Sequence, residues 1–317
     1  MSVAAHETLA GVVAESGAMQ EILRVASRLA EARSPVLLEG ESGTGKDLLA
    51  HWLHYKGPRR DGPFIKVHCP SIPEELLESE LFGHEKGAFT DARHTKAGKL
   101  ELAVGGTLFF DQVEDLSLSL QGKLLRVAEE RRFERLGGTR TIEVDVRFVS
   151  ASRLDLRRAV DAGTFREDLY HRLSVVPLVL PPLRERPEDI LPLAAAFLVR
   201  EQERHATKAT AFEEEVRQAL LGYHWPGNVR ELRAVVERAA LYAGGETVPL
   251  SALPAHVLEE PRTLWAGRPK PPSLKEVEQA YIRHVLQQAG GSQTRAASAL
   301  GISRKALWEK RRRYGIP

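Results

Sequence analysis

Apolar residues first recur at helical spacing near the start of the chain. Ile22, Leu23, Val25, Ala26, Leu29 and Ala30 share one face, which predicts an amphipathic helix over Ser16 to Arg33. Pro35 ends it, and Val36, Leu37 and Leu38 form a short buried-strand run. A glycine-rich turn follows, then a second helix through Trp52. Further strand runs lie at Phe64 to Val67, Thr107 to Phe110 and Val144 to Val149, with helical patterns between them, such as Gln121 to Arg131. Strands alternating with helices predict an α/β fold, a parallel sheet with helices on both faces. After Pro187 the strand signals stop. Glu188 to Glu203, Phe212 to Leu221 and Asn228 to Tyr242 read as helices of a small all-helical region. Between Glu259 and Pro272 stand Pro261, Pro269, Pro271 and Pro272, a semi-rigid linker composition. Ser273 to Gln288 reads as a helix opened by a capping box with Glu276, and two short helices follow. There is no internal repeat.

Composition narrows the class. A chain of 317 residues predicts roughly two domains. With 43% hydrophobic and 28% charged residues it is ordinary for a globular protein, which excludes a disordered or fibrous chain. No apolar run reaches the roughly 18 residues of a membrane span, so no membrane partner is expected. Met1 to Ala10 lacks the layout of a secretory signal. Cys69 is the single cysteine, so no intramolecular disulfide forms, which fits a reducing cytoplasm. The net charge of +2 hides an asymmetry. From Arg268 onward eleven Lys and Arg face three Glu, a net +8, leaving 34 bases against 43 − 3 = 40 acids, or −6, elsewhere. An acidic body with a basic tail points to a polyanionic partner, nucleic acid.

Gly40-Glu41-Ser42-Gly43-Thr44-Gly45-Lys46 matches G-x-x-x-x-G-K, between a predicted strand and a predicted helix. Such a loop turns backbone N–H groups toward phosphate oxygens, Lys46 adds a charge near the β- and γ-phosphates, and the helix N-terminus adds its partial positive charge. Asp47 stands where Ser or Thr usually offers a hydroxyl to Mg²⁺. Leu108-Phe109-Phe110-Asp111 supplies the second signature: a buried strand that delivers a carboxylate toward Mg²⁺. ATP and Mg²⁺ are therefore the expected cofactors.

Three further stretches carry a family resemblance. Glu78 to Ala92, with Gly87-Ala88-Phe89-Thr90-Asp91-Ala92, resembles the sigma-54 contact loop of bacterial enhancer-binding proteins of the NtrC type. Phe165 to Leu173 resembles their arginine-finger segment, and Trp225 to Leu232 their second sensor. The resemblance runs from about Ser16 to Pro317, and is nearest to the short class without a receiver domain, typified by the phage-shock-protein activator. It implies residues 1–15 as a tail, 16–183 as an AAA+ α/β subdomain, 184–258 as its helical lid, 259–272 as linker and 273–317 as a Fis-type helix-turn-helix domain. It also implies a homo-oligomeric ring, usually a hexamer, with ATP between subunits. Lys46 and Asp111 would serve one face of that site. Arg166 and Arg172 would reach in from the neighbour to stabilise the charge of phosphoryl transfer. By themselves these two arginines read rather as surface charges beside Glu167 and Asp168. Arg230 would sense the nucleotide from the lid, and Phe89 and Thr90 would touch sigma-54.

The chain departs from the family pattern at several positions. Asp91 replaces a glycine of the contact loop, which removes conformational freedom and adds charge. After Asp111 the family has the glutamate that activates water; here it is Gln112, which cannot take a proton. The asparagine that partners that glutamate is here His68, and the first sensor reads Ser152-Arg153. Hydrolysis is therefore expected to be slow or absent, with His68 or Glu114 as rival bases; imidazole as a side-chain type is a competent base near neutral pH.

In the tail, Ala296, Ala297, Leu300, Ile302 and Leu307 supply a compact core around a turn at Gly301. The last helix is basic, which fits a helix-turn-helix with its second helix in the major groove. Ser303, Arg304, Lys305 and Trp308 are the expected groove-facing residues, and Arg311, Arg312 and Arg313 the phosphate contacts. Such modules usually dimerise on palindromic sites. The chain reads as a sigma-54-dependent activator that binds enhancer DNA and remodels the RNA polymerase closed complex. The alternative is a weakly hydrolysing, ATP- and DNA-binding regulator acting as repressor or silent ring partner. An AAA+ unfoldase or helicase explains neither the Phe89-Thr90 loop nor the tail.

Overall fold

The computed structural model describes residues 13–71, 73–90, 92–205, 207–259, 273–288 and 292–316. Asp91, the linker and most of the N-terminal tail lie outside them. The described chain falls into two compact units, Met1–Arg217 with His224–Leu253, and Gln218–Tyr223 with Pro254–Pro317.

In the first unit, β1 (Val36–Glu39), β2 (Phe64–His68), β3 (Thr107–Asp111), β4 (Arg147–Ser152) and β5 (Val176–Val179) form one parallel sheet. Its order is β2-β3-β4-β1-β5. The inner strands β1, β3 and β4 are covered on both faces, and β1 and β3 read as near-continuous apolar runs. The period of two still sorts their side chains: Leu108 and Phe110 join one core cluster, and Phe109 joins the other. β1 lies between β4 and β5 while the chain next crosses to β2 at the far edge. Such reversals of strand order place a ligand crevice at the carboxyl ends.

Helices α1 (Gly17–Glu31) and α2 (Lys46–Tyr55) cover one face. Ser16 caps α1, its hydroxyl accepting from the Met19 N–H. Helices α3 (Glu74–Phe82), α4 (Leu118–Glu130) and α5 (Glu167–Leu173) cover the other. The helical region is carried by α6 (Ile190–His205) and α7 (Asn228–Tyr242).

Three sequence expectations shift. The strand expected at Val144 starts at Arg147, because the Val144 N–H is used by the Arg131 carbonyl beside a hairpin of Arg132–Glu134 and Thr141–Glu143. Arg147 is buried and donates to the Leu29, Ala30 and Leu53 carbonyls at the ends of α1 and α2. β5 escapes the pattern because Pro177 interrupts it; an edge strand paired only with β1 tolerates that proline. Strand pairing also does not stop at Pro187, since Ala211–Phe212 pairs with Thr247–Val248.

The second unit contains α8 (Leu274–Gln288), α9 (Gln293–Ala299) and α10 (Arg304–Tyr314). Ser273 and Glu276 form the expected capping box, the Ser273 N–H donating to Glu276 Oε2 at 2.8 Å. Ile282, Val285, Leu286, Ala296, Ala297, Leu307 and Ile316 make its core. Gly301, at φ +65°, turns the chain between α9 and α10. Among the described residues, no helix is long and apolar enough to cross a membrane.

Candidate nucleotide site and DNA-binding surface

A cleft of about 760 Å³ opens at the carboxyl ends of β1, β2 and β3. Its floor is the turn that leads from β1 into α2. Gly40, Gly43 and Gly45 all have positive φ, and at two of them a side chain would also collide. A Cβ on Gly43 would stand 2.3 Å from the Gly227 carbonyl oxygen, and one on Gly40 would stand 2.6 Å from that of Leu180. The loop is therefore pinned between β5 and the start of α7.

Lys46 is buried, and its Nζ donates to the Gly40 and Glu41 carbonyls at 2.6 and 2.8 Å. Burial lowers its pKa, opposed by the nearby Asp111, Glu114 and Asp47 carboxylates. Thr44 Oγ1 donates to the Glu41 carbonyl at 2.9 Å, closing the loop on itself. Glu41 accepts a two-pronged contact from Arg184 at 2.8 and 2.6 Å, which holds its carboxyl at about 2. Beside the loop, Met19, Leu23, Leu49, Leu180 and Leu193 line a small apolar recess.

The helical region grips this loop through α7. Trp225 and Asn228 are buried and adopt φ of +53° and +52°, so the chain turns sharply into the helix. Asn228 Nδ2 donates to Glu41 Oε2 and the Ser42 carbonyl, and its Oδ1 accepts the Leu183 N–H at 2.7 Å. The Val229 N–H donates to the Gly43 carbonyl, and Arg230 donates to Ser42 Oγ at 2.9 Å. Arg230 thus lies at the cleft.

The side of the cleft at the ends of β2 and β3 is built differently. Asp111 Oδ2 lies 3.0 Å from both His68 Nδ1 and Lys66 Nζ. Lys66 Nζ also stands 2.6 Å from Asp47 Oδ1. Burial works against the Lys66 charge, but the Asp47 and Asp111 carboxylates outweigh it and raise its pKa. Gln112 lines the cleft in a left-handed conformation, φ +62°. Glu114 does not line it; its Oε1 accepts from the Arg153 backbone N–H and Nε. Arg153 lines the cleft, and Ser152 is buried with its hydroxyl donating to the Leu154 carbonyl. Burial raises the pKa of Cys69 and leaves it an unreactive core residue.

Neither Arg166 nor Arg172 lines this cleft. Arg166 is exposed and paired with Asp168 at 2.7 Å, while Arg172 donates through Nε and a terminal nitrogen to the Ala128 carbonyl. Sequence reasoning missed Lys66, Arg200, Arg233 and Asn228. Helical spacing carried part of the signal, since Leu193, Phe197 and Arg200 share a face of α6, as Arg230 and Arg233 do on α7.

Phe89 and Thr90 are exposed at a hairpin tip whose base pairs Gly83–His84 with Lys96–Ala97. Phe89 packs edge-on against His84 rather than into the core. The tip leans on the second hairpin, where Leu136 exchanges backbone hydrogen bonds with Gly83 and Glu85 and Arg135 bridges Glu85 and Glu101.

In the second unit, Ser303, Arg304, Lys305, Trp308, Arg312 and Arg313 are exposed, and Arg311 is half-buried. The Ser303 hydroxyl is partly committed, since it caps α10 by accepting from the Ala306 N–H at 3.1 Å. Arg312 stacks over Trp308, and Lys310 pairs with Glu278. α10 thus offers a cationic face with one aromatic at its centre.

Three family models match the chain: the sigma-54 interaction domain over residues 12–179, the AAA+ ATPase lid domain over 184–266, and bacterial regulatory proteins of the Fis family over 273–314. The regulatory protein AtoC of Escherichia coli is 45% identical over 312 residues, covering 96% of this chain and 68% of AtoC. The DNA-binding transcriptional activator HyfR of Escherichia coli is 44% identical, covering 96% of this chain and 48% of HyfR. The crystal structure of NtrX from Brucella abortus with ADP is similar at a TM-score of 0.75 and 34% identity, covering 98% of this chain and 71% of that one. Its complex with ATP gives 0.74.

Proposed function

The chain belongs to the family of sigma-54-dependent transcriptional activators of the NtrC type, with an AAA+ domain, its lid and a Fis-type helix-turn-helix. From that premise we propose that it binds enhancer DNA through α10, assembles as a ring, and remodels the RNA polymerase closed complex by pressing Phe89 and Thr90 on sigma-54. The ring is a hexamer, and the tail binds a palindromic site as a dimer. The observation that carries the reading is the convergence of Lys46, Asp111, Gln112 and Arg230 on one cleft at a switch in strand order.

ATP fits that cleft. The loop N–H groups, Lys46 and the start of α2 take the phosphates, and Arg230 reports them to the lid. Mg²⁺ fits the donor set, because Asp47 and Asp111 already share one cation, the Lys66 ammonium. When bound, the ion would neutralise charge on the phosphates. The chain's own residues do the rest. Asp111 orients His68 and Lys66, Gln112 holds a water by hydrogen bonding, and Arg166 and Arg172 of a neighbouring copy supply positive charge. Hydrolysis then depends on assembly. The Arg166–Asp168 pair is exposed and weak, so it releases the arginine at little cost.

Gln112 and His68 favour a second reading for the isolated chain: an ATP-binding switch that turns over slowly, or the silent partner of a mixed ring. Steady-state hydrolysis against protein concentration tests the choice. An activator shows a rate per subunit that rises on assembly, and captures purified sigma-54 when loaded with ADP and aluminium fluoride, a capture lost in Phe89→Ala. A chain silent at every concentration that captures no sigma-54 is the switch.

A further inference from the structure

Away from the nucleotide cleft, α6 and α7 hold a second cluster of chemistry-bearing side chains. Glu201 on α6 is 1% exposed, and neither of its carboxylate oxygens has a hydrogen-bond partner. A buried carboxylate left in that state is strongly disfavoured unless a cation meets it. His205 lies one helical turn on, on the same face, with Nε2 3.4 Å from Glu201 Oε2. Glu237 approaches from α7, and one donor atom from each of the three lies within 4.8 Å of the others. Arg204 stands 3.8 Å from Glu201 Oε1, too far to hydrogen-bond, and its half-exposed side chain is free to turn to solvent.

We propose that Glu201, His205 and Glu237 form a divalent transition-metal site that takes zinc, with water as fourth ligand. The donor set is one imidazole and two carboxylates. The imidazole disfavours Mg²⁺ and Ca²⁺, and the two carboxylates balance the charge of a divalent ion. Ligands of tetrahedral zinc lie about 2.0–2.2 Å from the ion and so about 3.4 Å from each other, the separation His205 and Glu201 already have. The two helices the ion would join also supply the lid side of the nucleotide cleft through Leu193, Phe197 and Arg200 on α6 and Val229, Arg230 and Arg233 on α7. Zinc would therefore stiffen the element that reads the nucleotide.

The test titrates the metal-stripped, nucleotide-free full chain with ZnCl₂ by calorimetry, and follows thermal unfolding with and without the ion. One zinc per chain and a rise in Tm of about 3 °C or more are expected. His205→Ala and Glu237→Gln each weaken binding by roughly tenfold or more and abolish the rise, since even outer-shell changes at zinc sites cost that much. Neither side chain is fully buried, so both zinc-free variants keep ATP binding and a near-normal Tm. His68→Ala covers the imidazole–carboxylate pair at the nucleotide cleft. Absence of zinc binding, binding that survives in both lid variants, binding lost only in His68→Ala, or equal binding of Mg²⁺ would each overturn the site.

Discussion

The two sides of the nucleotide cleft are built on opposite principles. On the phosphate side, Lys46, Thr44, Glu41 and Asn228 satisfy one another or the loop carbonyls, and every glycine that needs positive φ is present. On the Asp111 side, the next residue is an amide that cannot act as a base, and Asp111 itself is shared between His68 and Lys66. One side is a closed set of mutually satisfied groups, while the other presents the Gln112 amide beside a shared carboxylate. On the proposed function, substitutions on one side should move affinity and those on the other turnover.

The largest effect is expected at Gln112. Gln112→Glu restores a base and should raise steady-state ATP turnover by about 10²-fold or more with ATP affinity little changed. An equal rate in both proteins would mean that another group already accepts the proton, and His68→Asn then becomes the informative variant. Next comes Lys46→Ala, which removes the buried cation under the phosphates. Nucleotide affinity, read by fluorescent ATP titration, should fall by about 10²-fold while the fold persists.

Asn228→Ala cuts three hydrogen bonds that tie α7 to the phosphate loop and to Leu183, at a buried position. A loss of about 2 kcal/mol in unfolding free energy is expected, read by urea titration. The smallest effect concerns His54, in the last turn of α2 and outside the cleft lining, whose Nδ1 is hydrogen-bonded to Oγ1 of Thr107, the first residue of β3, at 2.9 Å. Burial, with His51 and Arg147 nearby, depresses its pKa to about 4. The folded value lies below the unfolded one, so the folded protein excludes a proton that the unfolded chain takes up. This stability is present above about pH 6.5 and declines toward pH 4. Between pH 7 and 5.5 the loss is about 1 kcal/mol, and His54→Gln should flatten it in urea titrations run across that range.

Much of the phosphate side was legible because its physics is local. A strand, glycines at fixed offsets, a lysine and a helix start all fall within eleven consecutive residues, Val36 to Lys46. The departures at Gln112 and His68 were legible only against the family resemblance, since nothing local marks either residue as exchanged. Lys66 was not, because nothing in one sequence says that β2 pairs with β3 in a register setting His68 opposite Asp111. β5 was hidden by Pro177, whose tolerance depends on lying at an edge.

The sequence by itself determined most of the helices and three strands of the sheet, the phosphate loop, the acid at the end of β3 and the basic last helix, since each rests on contacts between near neighbours along the chain. Only the tertiary structure decided which charges meet. Asn228 reaches Glu41 across 187 positions of chain, and His68 reaches Asp111 across 43. Such pairs arise from sheet register and helix packing, which depend on the burial of the whole core rather than on the residues that come together.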